Sequence, residues 1–159
     1  MDRIYLCMYQ SLIKEYVNGS EKKVKKCYSS GDEASELLQT EIDATIKYFA
    51  AHNPTKVKIE KCDKLSENDK YTYVYIFYNL VLENEHEYPC VGTYMVGKQD
   101  KTYYIMSSSQ ITDDMRTQAA TDYANFMKTD AYKTYTKAYD TFIKKNPGYE
   151  DKISEKIGS

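Results

Sequence analysis

Tryptophan is absent from this chain, histidine occurs only twice and proline three times in 159 residues. No stretch approaches the eighteen or so apolar residues needed to span a bilayer, so no membrane span is expected. The four cysteines (Cys7, Cys27, Cys62 and Cys90) are widely spaced. None forms a CxxC pair or a zinc-knuckle spacing, which excludes the common redox and structural-zinc motifs. Three disulfide pairings remain formally open, but a core of ordinary size makes buried free thiols the default. Concentrated positive charge is also missing: the net charge is −2, and the single basic run is Lys22, Lys23, Lys25 and Lys26. Phosphate binding needs more than this, so no nucleic acid partner is expected. GxSxG, HExxH and Gly-rich phosphate loops do not occur, leaving no recognisable nucleophile, metal or cofactor motif. No catalytic residue, metal or cofactor is therefore assigned.

What is present is tyrosine, with 18 copies, and lysine, which supplies 20 of the 22 basic residues. AT-rich coding is the simplest source of that skew. With 42% hydrophobic and 29% charged residues, the chain has the composition of a globular protein and the length of one domain, 1–159. The start, MDRIYLCMYQSL, is too short and polar for a signal peptide. The expectation is a cytoplasmic protein if Met1 is native, and an extracellular or cell-envelope one if an export signal preceded it.

Residues 3–17 place Tyr5, Met8, Tyr9, Leu12 and Tyr16 at steps of three and four, the stripe of an amphipathic helix. Asn18-Gly19-Ser20 interrupts it, with Ser20 suited to cap a short second helix. Ser29-Ser30-Gly31-Asp32 reads as a turn, with Asp32 as the cap of a long helix over 33–51. Its stripe is Leu38, Ile42, Thr45, Ile46 and Phe49, and it ends at His52-Asn53-Pro54. From residue 56 the period changes to two. Strands are predicted over 56–62, from Tyr71 to Leu82, over 88–96 and over 102–109, with a polar turn at 65–69 and a hairpin connection at 97–100. The second strand, within KYTYVYIFYNLVL, is apolar on both faces, which predicts a central strand covered on both sides. The last third returns to helical spacing. Tyr123, Phe126 and Met127 form one stripe and Tyr132, Tyr135, Tyr139 and Phe142 another, which Asn146-Pro147-Gly148 stops, with a last short turn of helix over 149–157.

The segment GTYMVGKQDKTYYIMSSSQI, residues 92–111, resembles the last hairpin of nuclear-transport-factor-2-like domains. There a strand runs into a turn and returns as an aromatic-aromatic-Ile strand, here Tyr103-Tyr104-Ile105. Asn18-Gly19-Ser20 is similar to the turn between the first helices of those domains. The resemblance covers residues 3–111 and implies an α+β fold: N-terminal helices on a curved four-stranded antiparallel meander, enclosing a conical cavity. Residues 112–159 would be a helical extension. It also implies kinship with small surface proteins of Gram-positive bacteria, among relatives that include isomerases, dehydratases and export scaffolds.

Function is not fixed by such a fold. The reading is a non-catalytic binding or assembly module, the folded part of an exported or cell-envelope bacterial protein, taking a protein or small-molecule ligand. The alternatives are a carrier or isomerase/dehydratase-like enzyme using the cone, and a scaffold of a secretion or conjugation complex. Candidate ligand-binding residues are Tyr73, Tyr75, Phe77, Tyr94 and Tyr104, in the cavity or on a sheet face; a homodimer through the sheet is also open. An isomerase would need a carboxylate beside a tyrosine donor, for which only Glu60 and Asp43 offer themselves. Glu83, Glu85, His86 and Glu87 read as a solvated reversal rather than a metal site. His52 reads as a polar helix end favourable to the dipole.

Overall fold

A computed structural model describes residues 3–28, 36–99 and 101–158. The predicted turn at Ser29–Asp32, the Asp32 cap and Asp100 of the hairpin connection lie outside the described residues. The side chains of Tyr5, Cys7, Met8 and Tyr9 do as well.

Helix α1 (Arg3–Asn18) buries Leu12, Ile13 and Tyr16. It ends where Gly19 takes φ +72°, a left-handed conformation that glycine adopts without a Cβ penalty. Gly19 N–H then bonds Tyr16 C=O and Ser20 N–H bonds Glu15 C=O, the paired closure that satisfies the last carbonyls of a helix. Ser20 stands before α2 (Glu21–Lys25) as expected, but its side chain makes no capping bond. Helix α3 (Glu36–His52) buries Leu38, Ile42 and Phe49 along the predicted stripe, and Leu37 lies exposed beside it.

Four antiparallel strands follow in the sheet order β1-β2-β3-β4. Strand β1 (Lys56–Glu67) is longer than expected, taking in Leu65–Glu67 of the predicted polar turn. Register shifts at Ile59/Lys61 and Lys64/Ser66 reset which residues face inward, so simple alternation fails before the strand ends. Lys56, Lys58, Lys61 and Lys64 are all exposed along it. Strand β2 (Thr72–Val81) is central and almost wholly buried. Strand β3 (Glu87–Gln99) runs past the expected 88–96 and takes in Gly97 of the predicted hairpin connection. Strand β4 (Thr102–Ile105) is short, and the predicted strand over 106–109 is instead an extended link and a 3-10 turn, Ser108–Gln110.

The two faces of β2 have different covers, and both come from this chain. Val74, Ile76, Tyr78, Leu80 and Leu82 pack with Leu12, Ile13, Tyr16, Leu38, Ile42 and Phe49 of α1 and α3. Tyr71 and Tyr73 pack with Met95 and with Met115 of α4 (Asp113–Phe126). Tyr75 and Phe77 pack on Phe126, with ring centroids at 4.5 and 5.7 Å. Thr112 caps α4 by accepting from Met115 N–H, and Thr129 caps α5 (Asp130–Lys145) by accepting from Tyr132 N–H.

Helix α5 packs against β3 and joins both clusters. Tyr132 and Tyr135 lie with Phe77 and Phe126, whereas Tyr139 and Phe142 lie with Tyr88 on the other face. The last helix, α6 (Tyr149–Gly158), covers the expected 149–157 and one residue more, and it docks on α3. Ile153 is its buried anchor, and Lys156 Nζ donates to Ala51 C=O at 3.1 Å.

Candidate functional site

Between α3 and the face of β2 and β3 that turns toward it lies a cleft of about 260 Å³. Strand alternation places Tyr78, Cys90, Gly92 and Tyr94 on this face, and α3 adds Tyr48, Thr45 and Phe49. Tyr135 reaches it from α5. Gly92 is what leaves the floor open. A Cβ there would stand 3.3 Å from Tyr94 Cε2 and 3.4 Å from Ile76 Cγ2, so a larger side chain would press on the Tyr94 ring and narrow the cleft.

The groups lining this cleft are held neutral. Burial pushes the Tyr48 phenol up to about 12 and raises Tyr78, Tyr88 and Tyr94 as well. Burial likewise pushes the Cys90 thiol up to about 12, the reverse of what activates a cysteine nucleophile. Tyr88 is further fixed because its hydroxyl donates to Glu150 Oε2 at 2.9 Å, and Tyr139 donates to the other oxygen of the same carboxylate.

Behind this wall His52 is buried rather than placed in a polar connection, which corrects the sequence expectation. Its ring stacks on Tyr88 at 4.8 Å and meets Tyr48 edge-on at 4.7 Å. Nδ1 lies 2.7 Å from the Tyr149 hydroxyl, and among the described residues Nε2 has no hydrogen-bond partner. The doubly protonated ring would therefore leave one buried N–H without an acceptor there. Burial lowers the imidazole to about 4, against an opposing pull from Glu150. At neutral pH it carries no charge to offer the helix dipole.

The five sequence candidates do not all converge on the cleft over Gly92, although Tyr73 and Tyr94 together line a second one of about 510 Å³ between β3 and α4. Tyr73, Tyr75 and Phe77 are buried beneath α4 and α5. Tyr104 is half-buried, with its ring lying over Gly97. Tyr94 alone reaches the cleft over Gly92. Tyr48, Tyr78, Tyr88, Cys90 and Gly92 were missed as site residues, although Tyr78, Cys90, Gly92 and Tyr94 share one face at strand spacing. Tyr48 sits beside the α3 stripe rather than on it.

The carboxylates considered for acid-base chemistry are elsewhere. Glu60 is exposed on β1 and accepts from Asn79, and Asp43 is exposed on α3 and accepts from Gln39. His86 lies in the reversal before β3, with Nδ1 2.9 Å from Asn146 Oδ1. Among the described residues no cluster of His, Cys, Asp and Glu could hold a metal ion, and no helix is long and apolar enough to cross a membrane. Cys27, Cys62 and Cys90 are free thiols. The surface thus offers phenolic hydroxyls, ring faces and a small floor.

No family model matches the chain, and no curated protein does. Two solved structures are similar to it. One is a Campylobacter jejuni protein provisionally named an NTF2-like transpeptidase, with 13% identity and a TM-score of 0.44 over 68% of this chain and all of that one. The other is an NTF-2-like protein of unknown function from Shewanella oneidensis, with 15% identity and a TM-score of 0.44 over 64% of this chain and 92% of that one. The α+β architecture itself, helices first and then a four-stranded antiparallel meander, rests on the element order and register of this chain.

Proposed function

We propose that this chain is a non-catalytic binding or assembly module whose ligand seats in the cleft over Gly92. The observation that carries the reading is the lining itself. Aromatic rings, the Cys90 thiol and Gly92 form the cleft, and among the described residues its lining includes no carboxylate or imidazole, the side chains that most often move protons near neutrality. Phenol rings with polar tips are also well suited to recognition, because they supply large contact area with few rotatable bonds.

The test is a titration with small aromatic solutes, indole and p-cresol, followed by NMR of ring-labelled tyrosine. Saturable shifts of Tyr48, Tyr78 and Tyr94 are expected, and they should disappear in Gly92→Val, which narrows the cleft. Shifts that never saturate, or that survive Gly92→Val, would overturn the assignment. The reading extends to the folded part of an exported or cell-envelope bacterial protein. Fractionation that finds the native protein only in the cytoplasm would remove that extension.

A further inference from the structure

Strand β4 pairs with β3 only from Val96 to Gln99, so among the described residues no strand lies along the outer edge of β3 before Val96. The direction of each backbone group there follows from two hydrogen bonds. Met106 N–H donates to Met95 C=O at 2.9 Å, and Ile105 N–H turns away to Cys27 C=O. Met95 therefore points outward, and with the period of two so do Thr93, Val91 and Pro89. Pro89 fits this assignment, since a proline is tolerated where its missing N–H would have faced off the sheet. Among the described residues, no backbone group pairs with the outward N–H and C=O of Val91 or Thr93.

This edge is recessed and carries a cleft on each side. On one face lies the phenol-walled cleft over Gly92. On the other lies a cleft of about 510 Å³ formed by Thr93, Met95, Met106, Ile111 and the Ala119–Tyr123 side of α4. Tyr135 flanks one end of the exposed edge, and the chain leaving β4 at Met106 closes the other.

We infer that the partner is an extended peptide segment that adds to the outer edge of β3, in line with β4, by pairing with Val91 and Thr93. This rests on the cleft being the binding site and names what occupies it. At about 3.3 Å per residue, the open edge takes a core of about three residues. A residue opposite Thr93 would direct its side chain into the Met95–Met106–Ile111 cleft, which suits Leu, Ile or Met. The next, opposite Gly92, would enter the phenol-walled cleft, which suits a side chain with an apolar body and a polar tip. Main-chain bonds give such complexes affinity, and the alternating clefts give them specificity. The two clefts lie on opposite faces of one edge, so successive side chains of a single extended strand would meet them in turn.

A displayed library of random linear peptides, panned on the intact chain, supplies the probe. Enriched peptides are expected to carry the apolar and amphipathic pair in adjacent positions. Each synthetic peptide should slow hydrogen exchange at the Val91 and Thr93 amides and shift the Tyr48, Tyr78 and Tyr94 rings. Thr93→Pro removes the outward N–H while leaving the β2 pairing intact, and Gly92 before it has no Cβ to clash with the proline ring. Binding should weaken at least about tenfold, the effect of losing one main-chain bond, while Thr93→Val keeps it. Should Thr93→Pro fail to fold, N-methylation of alternate peptide residues tests the same bonds on the unaltered protein.

If peptides shift the cleft tyrosines yet bind equally well to Thr93→Pro or after N-methylation, strand addition is wrong and the cleft reading survives. If no peptide is enriched while indole and p-cresol still saturate the cleft, strand addition is again wrong and the cleft reading again stands. A dimer in light scattering that Thr93→Pro dissolves would assign the edge to a second copy and overturn the peptide.

Discussion

Acid should destabilise this fold through His52 in a way that can be separated from every other titrating group. The folded ring is held near 4 against an ordinary 6.5, so the unfolded chain binds a proton over that window and the folded one does not. Stability is then fully present above about 6.5 and is lost as pH falls toward about 4. At about 1.4 kcal/mol per tenfold difference in proton affinity, the whole gap amounts to about 3 kcal/mol. The ring is 6% exposed, but the Glu150 and Lys156 beside it are exposed. Water can therefore relax part of the penalty, and about 2 kcal/mol is the reasonable expectation. The assay is urea denaturation at a series of pH values for the native chain and for His52→Phe, which keeps a ring between Tyr48, Tyr88 and Tyr149 but cannot titrate. The native chain should lose about 2 kcal/mol more than the variant between pH about 7 and about 4. Parallel pH profiles for the two proteins, or an NMR titration of His52 centred near 6.5, would refute the reasoning.

Phe126→Ala should destabilise by about 3–4 kcal/mol in urea denaturation, because its buried ring joins Tyr75, Phe77, Tyr123 and Tyr132 and leaves a void there. Thr129→Ala should lose about 1 kcal/mol by removing the hydroxyl that accepts from Tyr132 N–H at the start of α5. Cys90 should resist iodoacetamide at neutral pH, since its thiol is buried and raised to about 12. Mass spectrometry should find it alkylated only at the rate of unfolding, and rapid labelling of the folded chain would contradict its placement.

The strand period of KYTYVYIFYNLVL was legible in the sequence, and the structure covers both faces of that strand. The helix stripe of α3 was legible too, because Leu38, Ile42 and Phe49 sit at helical spacing. What could not be read depends on distant partners. His52 stands next to Asn53-Pro54, a polar helix end on any local view. Its burial comes from Tyr88 and Tyr149, which lie far along the chain. The extent of β1 was hidden by its two register shifts, which break the alternation that marks a strand. The cleft was hidden for a related reason. Gly92 and Cys90 look like ordinary strand residues until Tyr48 is brought over them by the packing of α3. The stripe of α5 was visible, but not that its two halves serve opposite faces of the sheet.

The two outer borders of the sheet meet their surroundings in different ways. Along β1 the exposed ammonium groups of Lys56, Lys58, Lys61 and Lys64 would be buried or set against like charges by any neighbour that tried to stack there, a common defence against runaway polymerisation. The β3 border is uncharged from Pro89 to Val96 and relies on recession between helices. Neutralising the β1 lysines would therefore be expected to turn the chain toward fibrils, whereas the β3 border, with a cleft on each side, is shaped to admit a single slender strand.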